Sequence, residues 1–538
     1  MIRRVVVGAV LAAGAVGAVV ATDDPARIGA AAFGSAEPQV QPVVPAARSL
    51  GVTWFCPGAP ASAEEPGAIV MANPTDVEVR AVVNLVRAEG DTVQSVETVG
   101  ARSTLVLNLA ERAPSTFTAA MVETRSGSLV VEQRTVTKVA SASSPCVTTT
   151  SAMWHSADGA TSKDALYDLM LFNPYPADAV VDLEFFTEEG RNTEKGIYIP
   201  AGSLKVIDLG ERGTRRKNEV SVSVSAVAGR VVAGRLLQFD GTGDRSGIVS
   251  GPLAPAASTS WVFPDGVMAD NSVETVVIYN PNEQCAQVEM QVFPDDVTTV
   301  PAQQLITVPP GEAQRVEMFR DDQLAPGAHR IVLTSVNDVA VVAERVIDEA
   351  KGVSSTFGSH LAANRWWFVD GNTAASQRER IVVANPTGLP ATVTLRELGP
   401  GGLKVIAGAE NVAVEPGKSM GFDLDQLLPG RSTLTVLVDA SGPVIAERTQ
   451  RVDGAVGGHR VLGLPEAGVP AVSPVVEQNL DLESDLGGDE NLPLDTGSVD
   501  SGSVDTGSVE GSSPNSGAPG TGGAPSVTAA SGSTAAPN

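Results

Sequence analysis

Cysteine is nearly missing, with three in 538 residues. That excludes a dense disulfide scaffold and a cysteine-built zinc module. Histidine is as scarce: His155, His329, His360 and His459 are scattered without ligand-like spacing. There is no HExxH, GxSxG, SxxK or phosphate-cradling glycine loop. No catalytic, cofactor-binding or metal-binding residue is assigned, and the chain reads as a non-enzyme that needs no cofactor. Positive charge is short, 37 Lys and Arg against 63 Asp and Glu, a balance of −26. Such a chain repels nucleic acid and anionic headgroups. Aromatics make up only 4%. Val, Thr, Gly and Pro are abundant, which favours strands and turns over helices.

At the N-terminus, Arg3 and Arg4 precede an uncharged stretch from Val5 to Thr22, and Asp23 and Asp24 follow. This pattern is an export signal. Residues 1–22 are expected to be a signal peptide or a retained, membrane-embedded signal anchor helix. Either places the rest outside the cytoplasm, with the membrane touched only through this segment. Residues 23–49, rich in Ala and Pro, are expected to be a linker. From Glu466 to Asn538 there is no Lys, Arg, Trp, Tyr or Phe. That acidic, Gly- and Ser-rich tail cannot bury enough surface to offset ordering entropy, and disorder is expected. "LPLDTG" within it differs from a sortase signal by one residue, and no hydrophobic stretch with a basic end follows.

Between these ends the chain repeats itself. "AIVMANPTDVEVRAVVNLV" has counterparts around Asn173, Asn280 and Asn385, each Asn followed by Pro as Asn73 is. Nineteen residues before each Asn stands Trp54, Trp154, Trp261 or Trp366. About sixty residues after each comes a strand-like run ending in Arg134, Arg235, Arg345 or Arg448. A fixed offset repeated four times marks homologous units, here 50–150, 151–258, 259–362 and 363–465. Period-two alternation, as at Val77, Val79, Ala81 and Val83, predicts strands. Around seven strands per unit suit an all-β, immunoglobulin-like sandwich; a propeller of smaller blades is the alternative. The Trp is expected in each core. The Asn-Pro pair is expected to end one strand at a wet corner, since Pro cannot sit inside a ladder.

Cys56 and Cys146 lie at opposite ends of the first unit and are expected to pair in an oxidising compartment, leaving Cys285 free. Asp158-Gly159, Asp265-Gly266 and Asp370-Gly371 recur after Trp and read as turns. Calcium at Asp265, Asp270 and Asn271 lacks the alternation of a loop-type site. Glu344-Arg345 and Glu447-Arg448 are strand neighbours pointing to opposite faces, not a catalytic dyad.

The export segment, Trp54-Phe55-Cys56-Pro57, the "VMANPT" and "VVANPT" strand ends and the closing "VVAER" and "VIAER" strands resemble an uncharacterised family of secreted actinobacterial proteins, domain of unknown function 5719. The resemblance implies location and architecture from Trp54 to about Leu464, and no activity. The chain is expected to be an exported envelope protein presenting an interaction surface to an envelope protein or glycan. The alternatives are a glycan-binding array of the cell wall and an enzyme with a site between units.

Overall fold

A computed structural model describes residues 40–45, 51–125, 129–269, 272–295, 302–318, 327–349, 352–453 and 458–467. The expected export segment, Asp270, Asn271 and nearly all of the expected tail lie outside the described residues. Among the described residues the chain is almost entirely β, and no helix is long and apolar enough to cross a membrane.

The first unit has eight strands: β1 (Val52–Ala61), β2 (Ala68–Asn73), β3 (Val79–Arg87), β4 (Val93–Val99), β5 (Ser103–Asn108), β6 (Ser115–Thr124), β7 (Val130–Val136) and β8 (Ser141–Pro145). They form two four-stranded sheets, β1-β6-β3-β4 and β5-β2-β7-β8. In β3 the alternation buries Val79, Ala81, Val83 and Leu85. Val77, expected on that face, is exposed and lies before the strand begins, in the corner. The eighth strand, "SASSP", carries no apolar alternation, which is why seven were expected.

The same sheet order recurs in the second and third units. There the sheets ending in Ser246–Pro252 and Gly352–Phe357 join through a parallel Ser246–Gly352 pairing into one eight-stranded sheet. In the fourth unit the sixth and seventh strands are one continuous strand, Leu434–Val452, which serves both sheets.

The eighth strands meet at the centre. β8 packs on Ser246–Pro252, that strand on Gly352–Phe357, that on Gly458–Leu462, and the last returns to β8. The four units therefore close into a ring about an axis marked by these strands. Approach there is tight. A Cβ on Gly251 would lie 2.9 Å from the Ser144 Cβ, and one on Gly247 would lie 2.9 Å from the Val353 carbonyl oxygen. Both glycines also hold φ near +138°, which other residues rarely adopt.

The hydrophobic cores cross unit boundaries. Trp367, Leu437 and Leu464 of the fourth unit pack in the cluster that holds Trp54 and Cys56 of the first. Phe55 and Val147 join the core of the second. Part of the stretch expected as a linker is also built in. Val40, Gln41 and Val44 are buried, and Val44 bridges in parallel to Glu466. A mixed Val, Gln and Pro segment gains this order by pairing its backbone with the end of the fourth unit.

Candidate functional site

The residues that define the repeat are all interior. Trp54, Trp154, Trp261 and Trp366 are at most 1% exposed. The last three donate their indole N–H to Val231, Val341 and Val444 carbonyls at 2.8–2.9 Å, whereas Trp54 Nε1 has no hydrogen-bond partner. None offers a stacking surface to a glycan.

The four asparagines are fully buried, contrary to the expected wet corner. Asn73 Nδ2 donates to the carbonyls of Val77, Val99 and Gly100, and its Oδ1 accepts from Thr75 N–H. Asn173, Asn280 and Asn385 repeat the scheme onto Ala177, Gln284 and Leu389 and onto a second turn. An amide with its donors and acceptor filled is tolerated without water. The side chain ties two corners of the sandwich together.

Cys56 and Cys146 form a disulfide, and Cys285 carries an exposed free thiol. Asp265-Gly266 and Asp370-Gly371 are not turns. They lie at register shifts inside Ser260–Met268 and Ala363–Gly371. A bulge re-aims a side chain, and these aspartates reach a neighbouring unit.

The chemistry at the unit boundaries follows a cyclic rule. The seventh strand of each unit carries its repeat-closing arginine. Arg235 of the second unit pairs with Glu344 of the third, through Nη1 at 3.1 Å and a shorter Nη2 contact. Arg345 of the third pairs with Glu447 of the fourth, and Arg448 of the fourth with Glu132 of the first at 2.9 Å. All six side chains are 3% exposed or less. The adjacent Glu344 and Arg345 project oppositely, so each addresses a different neighbour. Asp158, which follows the end of its strand, and the two bulge aspartates also reach to the next unit: Asp158 meets Arg315 at 2.8 Å, Asp265 meets Arg460, and Asp370 meets Arg134 Nε at 2.8 Å. Each central guanidinium also lies over a phenylalanine ring, Arg235 on Phe357, Arg345 on Phe263 and Arg448 on Phe368, at 5.5–5.6 Å.

The boundary between the first and second units departs from this rule. The positions matching Asp158 and Glu344 are Gly58 and Gly234. A Cβ on Gly234 would stand 2.4 Å from Pro57, so ring packing and apolar contact replace the ion pairs there.

Burial sets the local electrostatics. It raises the Glu447 carboxyl to about 7, against the pull of Arg345. It raises Glu379 to about 7, against the pull of Arg448. It holds His459 at about 4, so that ring is neutral and meets the Ser143 carbonyl at 2.8 Å. Burial also lowers His329, but the carboxylate of Glu274, 3.0 Å away, outweighs it and raises the pKa.

Two cavities lie at opposite ends of the central strands. The larger, about 470 Å³, opens where those strands begin and is lined from all four units by Arg134, Ser143, Gly247, Val353 and Gln450 among others. The smaller, about 90 Å³, lies where they end and is closed partly by Val40, Gln41 and Pro42. Sequence reasoning found the arginines as strand markers but missed their partners, the fifth tryptophan and both cavities. The one available signal was a Glu beside Arg in the same strand of two units.

No protein with a curated description matches the chain. Solved structures with some similarity include a Thermotoga maritima protein, number 1070 (18% identity, TM-score 0.18, 19% of this chain and 94% of that one). A tetra-tandem repeat from the extending region of a large adhesion protein is 12% identical, TM-score 0.10, over 77% and 99% of the two chains. An α-L-rhamnosidase of Streptomyces avermitilis is 10% identical, TM-score 0.13, over 82% and 43%. Scores this low carry no argument about fold or function. The family model is different in weight, because its two matches, 110–365 and 355–479, run without a gap across the second to fourth units and into the first. The chain belongs to the family of unknown function DUF5719.

Proposed function

We propose that this is an exported, non-enzymatic envelope protein whose four tandem immunoglobulin-like units form a rigid body that presents an interaction surface outside the membrane. The observation that carries this reading is the directional set of buried Arg–carboxylate contacts joining one unit to the next, closed by Arg448 on Glu132. Buried pairs of this kind fix relative orientation more than they add stability. The N-terminal charge pattern supports export. Of the rival readings, glycan binding through the repeat tryptophans is disfavoured by their burial. The test is labelling of intact cells with a membrane-impermeant thiol reagent directed at Cys285, which is exposed. Labelling equal to that of lysed cells is expected. Protection in intact cells and labelling only after lysis would overturn the location.

A further inference from the structure

The larger axial cavity is not explained by holding the units together. We infer that it binds a small anionic polyol, a hydroxyl-rich molecule bearing one carboxylate or phosphate, at the centre of the ring. The site does not depend on where the protein resides. Its volume, about 470 Å³, lies in the range of small-molecule sites. It exists only in the closed ring, since all four units contribute to its wall.

The lining decides the ligand class. Among the described residues three cationic side chains face the cavity, Arg134, Lys138 and Arg451, against one carboxylate, Asp370. Asp370 is buried and already engaged by Arg134 and Ser143, so it offers no free repulsive charge. Lys138 meets Glu64 in a pair 69% and 73% exposed. Arg451 meets Glu349 in a pair 43% and 23% exposed. The exposed Lys138 pair holds by about 0–1 kcal/mol, and Glu349 keeps Arg460 as a second cation when the exposed Arg451 leaves it, so both cations can turn to a ligand. A cationic concavity is unexpected in a chain of net charge −26.

The remaining polar groups suit hydroxyls. Gln450 uses its Nε2 on the Asp370 carbonyl and Glu379, which leaves Oε1 as an acceptor. Asn372 uses its Oδ1 on Ala374 N–H, which leaves its amide hydrogens as donors. Val136, Val353 and Val452 supply apolar wall for C–H faces. Among the described residues no Phe, Tyr or Trp lines the cavity, and the one ring there, His459, is buried and held on the Ser143 carbonyl. A neutral sugar therefore gains no stacking, and discrimination must come from charge-assisted hydrogen bonds.

The experiment is calorimetric titration of the full exported chain with D-glucuronate, glucose 1-phosphate and glucose. At least one anionic sugar is expected to bind about tenfold or more tighter than glucose. Its preference between the two anions tells a sugar acid from a sugar phosphate. Lys138→Ala combined with Arg451→Ala should weaken that binding by about tenfold or more, with the thermal midpoint held because both side chains are exposed. Gln450→Ala should weaken all three sugars together. The inference is overturned if neither anion binds saturably below roughly 10 mM, if glucose binds as tightly, or if the double variant binds normally.

Discussion

Glu344→Gln keeps the shape of a fully buried side chain and removes its charge. In the native protein Glu344 receives Arg235, the Ala157 N–H at 2.7 Å and the Ser355 hydroxyl at 3.0 Å. The variant strands the Arg235 guanidinium, itself 3% exposed. Breaking a buried pair from one side costs about 3–5 kcal/mol. The shift in thermal midpoint depends on how much of the chain unfolds together. At about 2.1 cal/mol/K per residue, a body of roughly 400 residues has an unfolding entropy of about 0.8 kcal/mol/K, so the midpoint falls by about 4–6 °C. A single unit of roughly 100 residues unfolding alone has about 0.2 kcal/mol/K, which gives a fall of about 14–24 °C in one transition among several. Continuous cores across unit boundaries predict the first outcome. Differential scanning calorimetry separates the two. Combining Glu344→Leu with Arg235→Met should restore most of the loss, because apolar replacement of both partners removes the stranded charge. Glu97→Gln, whose partner Arg112 is half exposed, serves as the control. A midpoint for Glu344→Gln within about 1 °C of wild type would refute the reasoning, since the pair would then carry no buried charge worth satisfying.

Gly234→Ala should destabilise by about 1–3 kcal/mol through collision with Pro57, and Gly190→Ala, where open space surrounds the site but φ is +108°, reports the backbone cost alone; chemical denaturation compares them. Equal losses would mean that Pro57 yields. His329 has a folded pKa above its unfolded value, so the stabilisation from its pairing with Glu274 is complete below about pH 6.5 and is lost as pH rises through the raised value. The midpoint of wild type should therefore approach that of His329→Gln above neutral pH, and a gap that widens instead contradicts the assignment. Reducing Cys56–Cys146, 90 residues apart, should cost about 4–5 kcal/mol in the chain-entropy model. Calorimetry with and without reductant measures this, and an unchanged midpoint would show that burial alone holds those ends together.

The repeat was legible because its markers are rigid in spacing. A core tryptophan on the first strand and a corner asparagine on the second, in the two separate sheets of a unit, cannot drift by one residue without reversing their faces. Their environments were less legible. The asparagines read as wet because polarity usually means exposure, whereas these saturate their hydrogen bonds and so stay dry. The eighth strand was invisible because "SASSP" and "SGIVSGP" contact other units as well as their own sheet and need small residues rather than alternating apolar ones. The ion pairs were invisible for a different reason. Arg235 and Glu344 are 109 residues apart and Arg345 and Glu447 are 102 apart, one repeat length each. Each of these arginines meets the Glu one place before its own counterpart in the next copy, and copies of one motif look redundant in sequence. Only the packing of unit against unit turns that offset into contact.

The distribution of charge around the ring follows the connectivity of the chain. Consecutive units are joined covalently at their shared boundary, but the fourth and first meet without a bond between them. Bringing Glu132 to Arg448 closes a loop of 316 residues, an entropic cost of roughly 5 kcal/mol beyond the constant term. That boundary carries two ion-pair contacts, Arg448–Glu132 and Arg134–Asp370, with Trp367 packed into the first unit's core and the Val44–Glu466 bridge at its edge. The boundary between the first and second units needs least. Cys146 is locked to Cys56, and Val147 bridges Phe55 four residues before Ser151 bridges Val231. The connector can scarcely wander, so little closure entropy has to be offset. There both carboxylate positions are glycine, and a proline packed on Gly234 suffices. Among the described residues, ion pairs thus cross the boundary where the chain supplies no tether, as they cross the two between the second and fourth units, and are lacking only where the tether is shortest, where a Thr135–Ser250 hydroxyl contact remains, as expected if their role is to select one closed arrangement over the open ones.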